Sequence, residues 1–579
     1  MKLATKYEVG NVPHSEHPFP QAQRQNMLCL NGKWKIEKYD DNQVVWKGDI
    51  IVPFSPESLN SGVKENFELL THQKLVYTRA FTLDTSMLLG RTVLHFGAVD
   101  SRCKVWINDV FVGEHSCGYT AFSMDVSAVV NQGVNAIKVE CIDDALAIGR
   151  ARGKQSRTSG GIWYTAQSGI WQSVWLESMP VTYIKGLKIT PIIDGEHKKV
   201  IIQASSDGQE QTIYVFDGAQ LIIESQFVDK IELEYDFELW SPNSPKLYDF
   251  VISNQSGDQL KSYFGVRTFG IGKDSQGKSR LLLNDKPYFF HGVLDQGYWS
   301  DGLLTPPSDM AMYDEIKLLK DMGFNTIRKH IKVEPMRWYY HCDKIGMVVW
   351  QDFVNGGKEY KFSHIALQPF LGINHRDDDY KYFGREDKSG RDEYMQMVTE
   401  IVANLSNCTC IGMWVPFNEG WGQFSSHEVT KYVESLDDTR IVDSVSGWHD
   451  QGYGKTNLRS LHTYFTPLKV PKDERVVILS EFGGYSLAVK GHTWNENKQF
   501  GYRKFKSQQK YSNALQKLYL DKLLPLISKG LCGSIYTQVS DVEEEINGLV
   551  TYDRKIVKIP ISTMREISDK IYLENSKIK

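Results

Sequence analysis

The chain has 579 residues, of which 41% are apolar and 24% charged, and its formal net charge is −4. This length exceeds one hydrophobic core and predicts several domains of globular composition. The weak, mixed charge gives no positive field for nucleic acid or an anionic membrane, so neither is an expected partner. Neither a signal-like apolar start nor a run of roughly 20 apolar residues occurs, so we expect a cytoplasmic protein.

Eight cysteines are scattered along the chain. None forms a CxxC pair, and no histidines accompany them at zinc-like spacing. The pattern predicts reduced thiols inside the cores, with neither a structural metal nor a disulfide framework.

The first 270 residues predict two β-rich domains. In residues 1–180, short strands alternate with turns as in a jelly roll, at 75–84, 93–96, 103–108, 135–142 and 173–177. In residues 181–270 the predicted strands are 187–193, 199–204, 211–216, 230–239 and 248–253. The size of this second unit suits an immunoglobulin-like β-sandwich.

Residues 271–579 predict a (β/α)8 TIM barrel, because buried parallel strands alternate with amphipathic helices such as 308–322. Eight strands are predicted, at 288–293, 326–331, 347–353, 410–417, 441–446, 460–465, 476–482 and 533–539. The catalytic groups of such barrels lie at the C-terminal ends of the strands. The polar segment 358–391 is predicted to be a long loop on that face.

A glutamate follows an apolar run on two of these strands. Glu419 comes after the fourth strand, and Glu481 ends the seventh. Carboxylates on these strands would converge across the barrel mouth, where glycosidic cleavage needs one acid and one nucleophile. Two unrelated salt-bridging glutamates are the alternative, but the shared context favours catalysis. We therefore predict Glu419 as general acid/base and Glu481 as nucleophile, acting with retention of configuration.

The motifs around these residues resemble those of glycoside hydrolase family 2. Asn418-Glu419 and Glu481 look like the family's acid/base and nucleophile motifs, and the family also places a jelly-roll sugar-binding domain and an immunoglobulin-like domain ahead of its barrel. Nearly the whole chain is covered. Supporting stretches are Asn31-Gly32-Lys33-Trp34, residues 169–176, Leu239-Trp240-Ser241-Pro242 and Gly265-Val266-Arg267.

The resemblance implies further roles. Asn418 would hydrogen-bond the 2-hydroxyl of the sugar, Arg328 would brace the nucleophile, and Tyr464 would reach towards Glu481. The chain departs from the family after its second strand, where a Ser-His-Tyr-Pro run is missing. It departs again on the eighth strand, where Thr537 replaces a frequent Trp, so the floor under the sugar would come from Trp421, Trp414 or Tyr536.

Other polar residues at strand ends are candidates for hydrogen-bonding the sugar hydroxyls. Asp295 and Asp352 are favoured, because one carboxylate accepts two protons from a vicinal diol. His330, His462 and Gln538 complete the predicted substrate-binding set, and each histidine could equally be a supporting group. Glycosidic cleavage by two carboxylates needs neither a metal nor an organic cofactor, so we expect neither.

The sequence also narrows the sugar. Family members that cut glucuronides resemble one another in an Asn-x-Lys pair before a Gly-(apolar)2-Thr-x-Asp-Arg run. This chain has the run at 548–554, but Glu545, Ile546 and Asn547 precede it, so a carboxylate-bearing sugar would be repelled. We predict an exo-glycosidase for neutral sugars, with β-galactosidase leading. β-Mannosidase, β-glucosaminidase and α-L-arabinosidase stay open, and β-glucuronidase is disfavoured.

Two hypotheses that assign the protein to other functional classes remain. A non-catalytic carbohydrate-binding protein would have no need for an aligned acid and nucleophile. A metal-dependent barrel hydrolase would need His291, His330 and His462 to approach one another. The expected partner is an oligosaccharide or glycoside substrate, and the sequence leaves a homo-oligomer open.

Overall fold

Three groups of buried apolar side chains organise the computed structural model, which describes residues 3–64, 67–143, 150–358, 360–361, 363–364, 368, 371–452 and 454–578. One core lies within residues 30–176, the second within 184–266, and the third and largest fills the barrel. The predicted fold class, a jelly roll, an immunoglobulin-like sandwich and a TIM barrel, is confirmed. All eight cysteines are described, and all are free thiols.

The first domain is a sandwich of a four-stranded sheet, β1-β14-β5-β9, on a six-stranded sheet, β3-β2-β4-β10-β7-β8. Along β7 and β10 buried and more exposed residues alternate, as expected of strands with one face on the core. The strands are β1 (Met27–Cys29), β2 (Gly32–Asp40), β3 (Gln43–Val52), β4 (Gln73–Leu83), β5 (Arg91–Phe96), β6 (Val99–Asp100), β7 (Arg102–Ile107), β8 (Val110–Ser116), β9 (Phe122–Asp125), β10 (Gly133–Ile142), β11 (Gln155–Ser156), β12 (Tyr164–Thr165), β13 (Gly169–Ile170) and β14 (Val174–Met179).

The second domain packs the antiparallel sheet β15-β16-β19 against β18-β17-β20-β21. Its strands are β15 (Lys185–Asp194), β16 (His197–Ser205), β17 (Gln211–Asp217), β18 (Gln220–Phe227), β19 (Lys230–Glu234), β20 (Tyr248–Asn254) and β21 (Gln259–Phe264). The strand predicted at 230–239 is therefore shorter than expected. A small sheet of β22 (Phe269–Lys273), β23 (Ser279–Leu283) and β24 (Lys286–Pro287) leads into the barrel.

Eight parallel strands form the barrel in the order β29-β28-β27-β26-β25-β34-β31-β30, and among the described residues β29 does not pair with β30. All eight overlap predicted strands, because continuous apolar runs mark strands that are buried on both faces. The fifth, predicted at 441–446, is shorter than expected. The eight strands are β25 (Phe290–Asp295), β26 (Thr326–Lys329), β27 (Val348–Asp352), β28 (Ile411–Val415), β29 (Ile441–Val442), β30 (Leu458–Thr463), β31 (Val476–Gly483) and β34 (Leu531–Thr537). The pair β32 (Tyr485–Leu487) and β33 (Arg503–Phe505) lies beside them.

Helices surround the barrel strands. The first begins after Ser308, whose hydroxyl accepts a hydrogen bond from the Ala311 N–H at 3.2 Å, as a capping serine should. None of the helices among the described residues has both the length and the apolar character to cross a membrane. The helices are α1 (Asp309–Asp321), α2 (Met336–Ile345), α3 (Lys388–Leu405), α4 (Ser426–Leu436), α5 (Gln508–Lys517), α6 (Leu524–Ile527) and α7 (Ile561–Asn575).

The first domain touches the barrel mouth through residues 150–156. The backbone N–H groups of Arg152 and Gly153 donate to the Asn355 carbonyl at 3.0 and 3.2 Å, just beyond β27. The Arg152 guanidinium also donates to the Gly357 carbonyl at 2.5 Å. Within the predicted loop 358–391, residues 359, 362, 365–367, 369 and 370 lie outside the described residues.

Candidate active site

The two predicted catalytic glutamates meet at the C-terminal face of the barrel. Glu419 lies in the turn after β28, and Glu481 lies near the end of β31. A carboxylate oxygen of each lies within 4.8 Å of the other. Carboxyl groups about 5–5.5 Å apart suit retaining glycosidases, whereas inverting enzymes leave roughly 6.5–9.5 Å for a water molecule. The spacing therefore fits the retaining geometry.

Arg328 holds the Glu481 side of the site together. Its guanidinium forms a two-pronged ion pair with Asp352, with both N···O distances at 3.0 Å. The same side chain donates to Glu481 Oε1 at 3.2 Å, to the Ser480 carbonyl at 3.0 Å and to Asn418 Oδ1 at 2.8 Å. Because Arg328 is fully buried, these contacts fix the positions of Glu481 and Asn418.

Glu481 is poised as an anion. Burial alone would raise its pKa, but the charges of His462 and Arg328, together with a hydrogen bond from the Tyr464 hydroxyl, outweigh burial and lower the pKa to about 2. We give most weight to Arg328, because a guanidinium is always charged. An ionised carboxylate at this position is suited to nucleophilic attack.

Glu419 has the opposite character. Burial raises the pKa of its carboxyl group above the ordinary value, and the negative charge of Glu481 adds to this rise, while the hydrogen bond from His462 opposes it. Nδ1 of His462 lies 2.7 Å from Glu419 Oε1. Environments that push the pKa values of two neighbouring carboxyl groups apart assign the acid and the nucleophile. In this pair Glu419 has the raised pKa, the property that a general acid needs.

The backbone turn at Glu419 is tight. Glu419 has φ of 51°, in the left-handed region that a glutamate rarely adopts, and Gly420 follows with φ of 73°. A Cβ on Gly420 would lie 2.4 Å from the His449 ring, so a glycine is required there. The Glu419 N–H donates to the Ser446 carbonyl at 2.9 Å. This turn directs the Glu419 carboxylate towards His462.

The two aspartates predicted to bind sugar hydroxyls already have protein partners in the structure. Asp352 is 1% exposed and is occupied by Arg328 and by His330, whose Nδ1 lies 2.8 Å away. Asp295 is 2% exposed and pairs with Lys329, opposite which it lies in the β25/β26 register. Side chains alternate along a strand, so Lys329 points away from the barrel interior that Arg328 fills, and Asp295 follows it.

The three predicted aromatic residues are all buried. Trp421, 2% exposed, lies near His330, with ring centroids 6.4 Å apart, and Trp414 and Tyr536 lie in the core. Tyr464 contacts Thr537, with 3.1 Å between the two hydroxyl oxygens. Gln538, also fully buried, donates to Asn547 at 2.7 Å, which places it in the wall rather than on the pocket surface.

The sequence reasoning missed several residues of the site. Tyr502 stacks on Tyr464, with ring centroids 3.8 Å apart, and the Ser446 hydroxyl lies 3.0 Å from His462 Nε2. Ser446 ends a predicted strand and so could have been found. Lys154 and Tyr164 belong to the first domain, and no feature of the barrel sequence indicates that they lie at its mouth.

The three histidines of the metal-hydrolase alternative do not assemble. His291 lies at the other end of β25 and packs against Phe324 and Tyr519. Glu419, His462 and Glu481 do lie within 4.8 Å of one another, a spacing that a metal ion could bridge. However, Glu481 already accepts hydrogen bonds from Arg328 and Tyr464. The buried guanidinium beside this carboxylate would repel a metal cation.

Two known domain families cover most of the chain. Residues 276–568 match the domain described as glycosyl hydrolases family 2, TIM barrel domain, and residues 23–180 match the sugar binding domain of the same family. The first match alone spans more than half of the chain.

Curated relatives are similar at low identity. A β-galactosidase of Photobacterium profundum is 24% identical over 575 residues, covering 86% of this chain and 51% of the relative. A putative β-glucuronidase of Formosa agariphila is 26% identical over 391 residues, covering 64% of this chain and 34% of the relative. The chain thus spans about half the length of the first relative and about a third of the second.

Solved structures are similar in fold over nearly the whole chain. A β-glucuronidase from an uncultured Clostridium sp. aligns with a TM-score of 0.73 at 18% identity, covering 96% of this chain and 99% of that chain. A family 2 β-galacturonidase from Eisenbergiella tayi, bound to galacturonate, aligns with a TM-score of 0.68 at 17% identity, covering 96% and 98%. At these identities the likeness concerns the fold.

Proposed function

The chain belongs to glycoside hydrolase family 2, and from that premise we propose that it is a retaining exo-glycosidase in which Glu481 is the nucleophile and Glu419 the general acid/base. The observation that carries the proposal is the pair of carboxylate oxygens within 4.8 Å. Their environments support it, since the pKa of Glu481 is lowered to about 2 while that of Glu419 is raised.

The reaction would proceed in two displacements. In the first, Glu481 attacks the anomeric carbon as the bond from that carbon to the leaving oxygen breaks and Glu419 gives its proton to that oxygen. In the second, Glu419 takes a proton from water, the water oxygen bonds to the anomeric carbon, and the ester to Glu481 breaks. Two inversions return the original configuration.

Asn418 is suited to bind the sugar. Its Oδ1 accepts from Arg328, whereas its Nδ2 is buried and has no hydrogen-bond partner among the described residues. A buried donor without a partner is unfavourable until a ligand supplies an acceptor. A sugar hydroxyl, as the family resemblance implies, would satisfy it.

We also propose that the enzyme removes single sugars from the ends of saccharide chains. Residues 150–156 of the first domain cover part of the barrel mouth by docking on the Asn355 carbonyl. A wall at that point favours a pocket that takes one terminal sugar over an open groove. An open cleft with room for several sugars on both sides of Glu419 would contradict it.

The identity of the sugar is the most specific part of the proposal. The sequence favours a neutral sugar, with β-galactoside first, because Glu545 would repel a carboxylate. The named relatives are divided between β-galactosidases and enzymes for acidic sugars. β-Galactoside therefore serves as the neutral reference substrate.

A panel of nitrophenyl glycosides tests the proposal. The panel holds β-galactoside, β-glucoside, β-mannoside, β-glucosaminide, α-L-arabinoside, β-glucuronide and β-galacturonide, each assayed with the wild type, Glu481→Gln and Glu419→Gln. We expect one sugar to be cleaved and both variants to lose at least about 1000-fold in kcat. If a sugar binds but neither the wild type nor any variant cleaves it, the chain is a carbohydrate-binding protein instead.

A further inference from the structure

A buried lysine of the first domain reaches the barrel mouth without a carboxylate partner. Lys154 is 7% exposed, and within the part of the chain that the structure describes its ammonium group forms neither an ion pair nor a hydrogen bond. Burying a charge without a partner is costly. A lysine kept in this state beside a substrate pocket points to an anion that the ligand supplies.

The backbone around Lys154 is fixed in place. Its carbonyl accepts from the Tyr164 N–H at 3.0 Å, and β11, which follows it, pairs with β12. The preceding Gly153 has φ of 61°, and a Cβ there would lie 3.2 Å from the Ile331 carbonyl oxygen of the barrel. Lys154 is thus held by its own domain and pressed against the barrel, which makes it a preorganised group.

The ammonium group lies among residues of the active site. Lys154 Nζ is 5.6 Å from the ring centroid of Trp421 and 5.6 Å from that of Tyr164. After burial, the charge of Lys154 is the strongest influence that lowers the pKa of His330. The rings stabilise the cation through their faces, but they accept none of its N–H groups in a conventional hydrogen bond.

Two further donors are also unmatched. Asn418 Nδ2 and Trp421 Nε1 are both buried, and neither has a hydrogen-bond partner among the described residues. Together with Lys154 they give the site three donors and one positive charge without protein acceptors. Such a set is complementary to a ligand that carries anionic oxygens.

The acidic residue that suggests a neutral sugar is not free to oppose such a ligand. Glu545 is 2% exposed. One of its carboxylate oxygens accepts from the Tyr164 hydroxyl, and the other accepts from Asn547 Nδ2 at 2.9 Å. The carboxylate is therefore hydrogen-bonded within the wall, whereas the Lys154 ammonium is not.

We propose that Lys154 is a specificity-determining residue that binds an anionic substituent, a carboxylate or a sulfate, on the sugar in the pocket. This rests on the proposed glycosidase function and deepens it, because it names the substrate class as acidic glycosides. It replaces the expectation of a neutral sugar. The lysine comes from the first domain, so that domain would contribute directly to substrate choice.

Binding measurements test the proposal without relying on turnover. Calorimetry would titrate galacturonate, glucuronate and galactose 6-sulfate, with galactose and glucose as neutral references, into the wild type, Lys154→Met and Lys498→Met. Lys498 is the matched control, since it lies at the same domain junction but is exposed and paired with Glu544. Comparing the two uronates with the sulfate shows whether the anionic group that Lys154 binds is a carboxylate or a sulfate.

We expect one anionic sugar to bind at least 10-fold more tightly than its neutral counterpart, and Lys154→Met to remove about 10- to 100-fold of that affinity. Lys498→Met should leave it unchanged. Equal or tighter binding of the neutral sugars by the wild type, or unchanged binding of the anion by Lys154→Met, would overturn the proposal.

Kinetics with matched nitrophenyl glycosides separate this proposal from the mechanism. Lys154→Met should lower the ratio of kcat/KM on the acidic glycoside to kcat/KM on the neutral glycoside about 10- to 100-fold. The charge of Lys154 also lowers the pKa of Glu419, and that effect is common to both substrates, so it cancels in the ratio. If Glu481→Gln keeps full turnover while selectivity depends on Lys154, the proposed mechanism fails and the role of Lys154 stands. If Glu481→Gln is inactive but Lys154→Met alters both substrates equally, only the role of Lys154 fails.

Discussion

Nδ1 of His462 lies 2.7 Å from Oε1 of Glu419. The other ring nitrogen of the same histidine lies 3.6 Å from Oε1 of Glu481 and 3.0 Å from the Ser446 hydroxyl. One imidazole therefore stands between the two carboxyl groups. The contact holds Glu419 in place and lowers its pKa, against the larger effect of burial. We infer that His462 positions Glu419, the supporting role that the sequence left open beside a sugar contact.

Replacing His462 should move the alkaline side of the pH profile. Glu419 must carry a proton in the first step, so activity falls as the pH rises through its pKa. Without the lowering effect of His462 that pKa increases, and the alkaline limb of kcat/KM should shift to higher pH in His462→Ala. His462→Asn, which can keep a donor near the Nδ1 position, should shift less. An unchanged limb in both variants would contradict the assignment.

Removing the general acid should depend on the leaving group. Glu419→Ala should lose about 100- to 10,000-fold on glycosides with poor leaving groups, because general acid catalysis contributes about that much. A dinitrophenyl glycoside needs little protonation, so its first step should remain fast. Stopped-flow measurement of the burst, with added azide to replace water, would show this. Equal losses on both leaving groups would assign Glu419 another role.

Removing the Tyr464 hydroxyl should weaken the nucleophile as an anion. Its hydrogen bond is one of the causes that lower the pKa of Glu481 to about 2. Glu481 must be ionised to attack, so the acidic limb of kcat/KM should move to higher pH in Tyr464→Phe while Arg328 keeps that pKa below its ordinary value. Steady-state rates from acid to neutral pH would measure the shift, and an unmoved limb would argue against the contact.

Arg328 should matter for stability as well as activity. In Arg328→Met the buried carboxylates of Asp352 and Glu481 lose their partner, a change that typically costs about 3–5 kcal/mol in the free energy of unfolding. Adding Asp352→Asn should recover part of this loss. Urea unfolding measures both, with Lys317→Met as the control. Its exposed pair with Asp321 should contribute less than about 1 kcal/mol.

Much of the barrel could be predicted, because its strands are buried on both faces and read as apolar runs. Glu419 and Glu481 follow from the rule that catalytic groups end such strands. His330, His462 and Tyr464 also lie at strand ends. Their hydrogen-bond partners depend on the direction in which each side chain points, and the sequence alone does not specify that direction.

The protein partners of Asp295 and Asp352 could not be predicted for the same reason. Asp295 and Asp352 both end strands, but Asp295 pairs with Lys329 on the outer side of its strand and Asp352 pairs with Arg328 inside the barrel. No pattern in the sequence distinguishes these carboxylates from sugar readers. Lys154 belongs to a loop of another domain, and only the docking of that loop on the barrel brings it to the site. Contacts between distant segments are set by the packed fold.

In the proposed double displacement, Glu481 becomes covalently bound to the sugar during each cycle. The most direct test is mass spectrometry after incubation with a 2-deoxy-2-fluoro glycoside of whichever sugar is cleaved, which slows release of the intermediate. We expect one sugar mass to be added to the wild type, on the peptide containing Glu481, and none to Glu481→Gln. An unlabelled wild type that still cleaves the parent glycoside, or a label on another residue, would contradict the account.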